Sequence, residues 1–96
     1  MTAELRTGLW VFPDRPVGEL LQAVLDSERQ GLDEFWLGDE GPAREPFSVL
    51  AAASVVTDRI RLCTGVTNPY LRHPALTAST ALTIHEFSGG RMVLGV

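Results

Sequence analysis

The chain contains no lysine: all eight cations among its 96 residues are arginines. That bias carries no mechanism by itself, but the charge balance does. A net charge of −4 argues against a nucleic-acid partner, which would want a basic face. Cysteine is almost absent too. Cys63 stands alone, which rules out an internal disulfide and a cysteine cluster for a metal. Its place in an apolar stretch reads as a small buried hydrophobe rather than a reactive thiol. His73 and His85 have no second histidine at ligand spacing, so no metal is expected. His73 reads as a local contact beside Pro74, and His85 as a surface or interface residue. No apolar run approaches the ~20 residues of a membrane span. The first eight residues lack the apolar core of a secretory leader. A cytoplasmic protein with no membrane partner is the expectation.

What is present is a repeat of alternating signals. Leu5–Phe12 reads as a first strand ending in a continuous apolar run, as parallel strands covered on both faces do. Asp14 is a candidate N-cap for the helix that follows. Val17, Leu20, Leu21, Val24 and Leu25 have the full amphipathic helical period, and Gly31 suits the position just past the helix end. Glu34–Asp39 reads as a second strand, Gly41–Pro46 as a loop, and Phe47–Val56 as an alanine-rich helix. A third strand opens near Ile60, a third helix spans Pro74–Phe87, and a fourth strand runs over Arg91–Val96.

Strands beginning near positions 5, 34, 60 and 91 define a βα repeat, hence parallel pairing with right-handed crossovers. A doubly wound sheet and the start of a (β/α)8 barrel both fit. The first βα turn has no G-x-G-x-x-G, which counts against a dinucleotide-binding fold. A complete barrel takes ~250 residues, so three and a half units are under half of one.

The stretch Arg61–Pro74 breaks its own strand pattern. Gly65 inside the run marks a bulge, or a close approach by a ligand or another backbone. Asn68-Pro69 ends the strand and His73-Pro74 opens a helix. A ligand-facing strand end and an ordinary βα loop are both compatible with these residues. Trp10 and Phe12, at the end of the first strand, read as core residues, with a pocket wall as the other reading.

Thr64-Gly65-Val66-Thr67-Asn68-Pro69-Tyr70, then Arg72-His73-Pro74, then Ser88-Gly89-Gly90-Arg91 with Leu94-Gly95-Val96, resemble the luciferase-like flavin and deazaflavin oxidoreductases. Within them the Thr-Gly-Val-Thr-Asn-Pro run looks most like the coenzyme F420-dependent methylenetetrahydromethanopterin reductases. The resemblance implies a TIM-like barrel, with residues 1–96 as its incomplete N-terminal portion. It implies a cofactor at the C-terminal ends of the strands, the face that carries the active site in such barrels. It also implies a non-prolyl cis peptide in the third-strand bulge, matching Gly65–Val66. Cofactor contacts would then come from Thr64, Gly65, Val66, Thr67 and Asn68.

Asp39, at the end of the second strand, matches a family position near the ring. It is the candidate catalytic residue, with a loop or capping role as the alternative. Many relatives carry histidine just after it, where this chain has Glu40, which weakens the case for a proton donor there. The implied activity is hydride transfer between F420 and a small organic substrate, with a homodimer expected of the full-length protein. Two alternatives stand: a reduced-FMN monooxygenase, or a non-catalytic fragment that only associates.

Overall fold

The computed structural model describes residues 5–41 and 43–96. Met1–Glu4 and Pro42 lie outside the described residues, and with them half of the first eight residues and one position of the loop read at 41–46. Seven elements follow in strict alternation: β1 (Gly8–Val11), α1 (Val17–Arg29), β2 (Glu34–Leu37), α2 (Pro46–Ser54), β3 (Arg61–Thr64), α3 (Pro74–Phe87) and β4 (Met92–Val93). The strands form one parallel sheet in the order β1-β2-β3-β4. They are shorter than the sequence pattern suggests, chiefly at their C-terminal ends. There the chain leaves the ladder through Gly38-Asp39, Gly65-Val66 and Leu94-Gly95.

Register sets which side chains share a face. Leu9, Phe35, Leu62 and Met92 form one row across the sheet, and Val11, Leu37 and Thr64 form the next row on the same side. Most of these residues join Leu20 and Val24 of α1, Phe47, Leu50 and Ala53 of α2, and Ala81 and Ile84 of α3 in a single core. Burying each larger apolar side chain there contributes about 1.5–3 kcal/mol. The helices pack side by side in chain order, α1 on α2 and α2 on α3, over this one face. The opposite face carries Trp10, Trp36, Cys63 and Val93. Cys63 is fully buried. Burial, with Glu34 adding to it and Arg61 opposing, pushes the thiol up to about 12, so it is no nucleophile at neutral pH.

The helix ends show what local chemistry does. Gly31, just past α1, has φ +83°, a conformation that glycine takes without the steric cost other residues meet. The expected N-cap at Asp14 is not found. Pro16 occupies the cap with extended backbone and no side-chain cap, and its carbonyl accepts from Glu19 and Leu20. Asp14 is two residues too early, exposed beside Arg15 at 4.0 Å. Glu45 caps α2 instead, its carboxylate accepting from the N–H groups of Phe47 at 3.1 Å and Ser48 at 2.8 Å. His73 caps α3 through Nδ1.

Two polar clamps hold the end of the sheet where the strands begin. The Glu28 carboxylate accepts from the backbone N–H groups of Asp58, Arg59 and Ile60, at 2.7–3.3 Å, tying α1 to the entry of β3. Arg91 does the same from the other side. Its guanidinium donates to the carbonyls of Ser54, Thr57, Ile60 and Ser88 and to the Thr57 hydroxyl. Gly89 and Gly90, at φ +69° and +91°, turn the chain so that Arg91 reaches them. The Ser-Gly-Gly-Arg motif is therefore a fold device, at the end of the sheet opposite the candidate site.

Candidate active site at the C-terminal ends of the strands

The other end of the sheet gathers every candidate site residue, because parallel strands all deliver their C-terminal loops to one side. Gly65 N–H still bonds the Leu37 carbonyl at 2.7 Å. β3 then bends toward β4: the Thr67 N–H donates to the Gly95 carbonyl at 3.0 Å, and Gly95 N–H donates to the Thr64 hydroxyl at 2.9 Å. Gly95 is required here, since a Cβ on it would lie 2.4 Å from the Thr64 carbonyl oxygen and 2.5 Å from that of Gly65.

The predicted cofactor-binding residues divide by exposure. Thr64 is fully buried and spent on Gly95. Gly65 is buried. Val66 is 74% exposed and stands out at the strand end. Thr67 is only 1% exposed, and among the described residues its hydroxyl has no hydrogen-bond partner, a condition that costs free energy. Asn68 is exposed, with Oδ1 accepting from the Tyr70 N–H at 2.9 Å.

What approaches Gly65 is a side chain of the same chain. A Cβ on Gly65 would lie 2.9 Å from both Cζ2 and Nε1 of Trp10, and one on Gly38 would lie 2.9 Å from its Cη2. The indole thus rests across the ends of β2 and β3. Trp10 is 44% and Phe12 52% exposed, with their rings edge to face at 4.6 Å. Neither ring joins the core under the helices: Trp10 lies on the opposite face of the sheet, and Phe12 follows the end of β1.

Asp39 sits at the end of β2, its side chain only 3% exposed. Arg72, in the loop after β3, grips it with two bonds, Nη1 to Oδ2 at 2.6 Å and Nη2 to Oδ1 at 3.2 Å. Nη2 also reaches Glu45 at 2.8 Å, and the guanidinium lies 4.7 Å above the Phe47 ring. The bonds from Asp39 raise the guanidinium's pKa above its already high ordinary value, desolvation opposing and the nearby charges of Asp39 and Glu45 adding. Arg72 is the residue that sequence reasoning passed over. Its signal was an arginine beside the helix-opening His-Pro, but its two carboxylate partners lie far back in the chain. Among the described residues no group of three or more His, Cys, Asp or Glu could hold a metal, and no helix is long and apolar enough to cross a membrane.

The sequence profile of the luciferase-like monooxygenase family matches residues 3–96. The chain belongs to that family. This luciferase-like chain is 39% identical over 89 residues to a 5,10-methylenetetrahydromethanopterin reductase of Methanolobus tindarius, an alignment covering 93% of this chain and 27% of the relative. Its fold matches the solved coenzyme F420-dependent tetrahydromethanopterin reductase of Methanopyrus kandleri, with a TM-score of 0.90 and 35% identity over 96% of this chain and 26% of that one. It also matches the FMN complex of the oxygenating constituent of 3,6-diketocamphane monooxygenase from Pseudomonas putida, with a TM-score of 0.84 over 93% of this chain and 28% of that one. At 20% identity that likeness concerns the fold alone. The chain spans about a quarter of the length of the relatives it matches. The four parallel strands are the N-terminal part of the TIM-like barrel of this family.

Proposed function

We propose that this chain is the N-terminal portion of an F420-dependent oxidoreductase that transfers a hydride between the deazaflavin and a small organic substrate. The observation that carries the reading is the likeness to the F420-dependent reductase, at 35% identity and a TM-score of 0.90 over 96% of the chain. The site residues fit a flat ring with a polar edge. Val66, Trp10 and Phe12 present apolar surface at the strand ends, while Thr67 keeps a buried hydroxyl without a partner among the described residues.

When bound, the deazaflavin supplies the hydride chemistry, and the protein supplies orientation. In this reading the Gly65–Val66 bend stands behind the ring, with the Trp10 indole lying over Gly65, and Thr67 and Asn68 meet its polar edge. Thr64 shapes the bulge from behind through Gly95. Asp39 acts as a positioning residue. Both its oxygens are held by Arg72, so it fixes the loop that carries Val66–Asn68 rather than moving a proton. Small errors in such placement cost rate steeply, ~100-fold for about 1 Å. A full-length homodimer in the cytoplasm completes the proposal. Exposed Val55, Val56, Leu82 and Phe87 on and beside the outer helices are in keeping with self-association.

A reduced-FMN monooxygenase is the second reading, favoured by membership of the luciferase-like monooxygenase family. Anaerobic single-turnover absorbance of the full-length protein separates the two. Bleaching of oxidised F420 by substrate, or reoxidation of the reduced form without oxygen, is the expected result. Turnover only with FMNH2 and oxygen would transfer the protein to the monooxygenase branch. A chain that binds neither cofactor and only associates would be a non-catalytic module.

A further inference from the structure

We propose that Trp10 is the floor of the ring site, and that Gly38 and Gly65 lack side chains in order to seat it. The inference rests on the reading above only in requiring that a planar tricyclic ring, deazaflavin or flavin, binds at the strand ends.

The argument begins with alternation along the strands. Trp10 pairs with Trp36 and Trp36 with Cys63. Gly38 and Gly65 lie two residues beyond Trp36 and Cys63, so they come next on the face that Trp10 shares. The Trp10 side chain reaches forward over both glycines. The closest indole atoms are 2.9 Å from where a Cβ on either would stand. Real Cβ contacts are not that short, so alanine at either position displaces the indole. Phe12 props the ring edge to face at 4.6 Å and 84°. One side of the indole is thereby fixed on the backbone of two neighbouring strands, on the face of the sheet that the helices do not cover. An aromatic plane pinned from below at the mouth of a barrel, beside exposed Val66, presents a stacking surface for an aromatic ligand. Trp36, its neighbour in register, is instead tied back to Glu34 through Nε1 at 3.2 Å.

Hydroxyl-radical footprinting of the full-length protein, read by mass spectrometry with and without saturating F420 or FMN, tests the inference. Trp10 should be oxidised in the free protein and protected when either ring is bound, with Trp36 changing little. Trp10→Ala should weaken ring binding roughly three- to tenfold, and Trp10→Phe much less. Gly65→Ala should mimic Trp10→Ala by displacing the indole, and should add little to it in the double variant. Oxidation of Trp10 unchanged by a bound ring would overturn the inference and leave the proposed function standing. Failure of both rings to bind would overturn the two together.

Discussion

One arginine holds both oxygens of one aspartate across 33 residues of chain: Arg72 meets Asp39 at 2.6 and 3.2 Å, with Glu45 on the same guanidinium at 2.8 Å. The pair joins the end of β2, the start of α2 and the loop after β3. It is nearly dry, with side-chain exposures of 16% and 3%. Breaking such a pair leaves an uncompensated charge, at a cost of about 3–5 kcal/mol.

Arg72→Ala and Asp39→Ala should each destabilise the full-length protein by roughly 3 kcal/mol, and the double variant by less than their sum. Arg72→Lys should recover only part, because an ammonium lacks the planar two-pronged fit. Denaturant unfolding of the four proteins gives the cycle. Additive losses would show the contact to be energetically idle. If Asp39 positions rather than reacts, both alanine variants should also slow hydride transfer by similar factors. A far larger loss in Asp39→Ala alone would restore a direct chemical role for the carboxylate.

Glu28 contributes to the acid limb of stability. Desolvation pushes its carboxyl pKa up, but three backbone N–H bonds and the charge of Arg91 outweigh it and hold the group below 4.5. A carboxylate with a depressed folded pKa stabilises fully above its unfolded value and loses that contribution as pH falls through the folded one. Glu28→Gln should therefore lower the melting temperature at pH 7, with a stability cost of about 1–3 kcal/mol. The gap to wild type should close below about pH 4.5. A gap that is constant with pH would mean that Glu28 acts through packing alone.

The glycines of the mouth should differ in cost. At Gly95 an added Cβ meets backbone carbonyl oxygens at 2.4 and 2.5 Å, whereas at Gly65 it meets a movable indole at 2.9 Å. Gly95→Ala should lower thermal stability more than Gly65→Ala, and Gly65→Ala should weaken cofactor binding more relative to its effect on stability. Comparing melting temperatures with cofactor affinities for the two variants decides it. The reverse order would mean that the β3–β4 bend yields more easily than Trp10 does.

The architecture was legible because its signals are local. The Val17–Leu25 period specifies one helix face, and the regular spacing of apolar runs specifies parallel βα units. Strand ends were less legible, since Leu94–Val96 and Gly38-Asp39 look strand-like yet are taken by bends and side-chain bonds. Trp10 and Phe12 were hard to place because apolar identity does not say which face of a barrel sheet a residue occupies. Only the register with Trp36 and Cys63 does. Arg72, Arg91 and Glu28 act on partners some 27–37 residues away. No window of local pattern contains both ends of those contacts.

The central claim is that the ends of β2 and β3 carry the deazaflavin. A crystal structure of the full-length protein with oxidised F420 tests it most directly. The account predicts the ring against Val66, Thr67 and Asn68, with the Trp10 indole beneath it and the Asp39–Arg72 pair intact behind the loop. A ring seated elsewhere on the barrel, or one reached only after Arg72 releases Asp39, would contradict it.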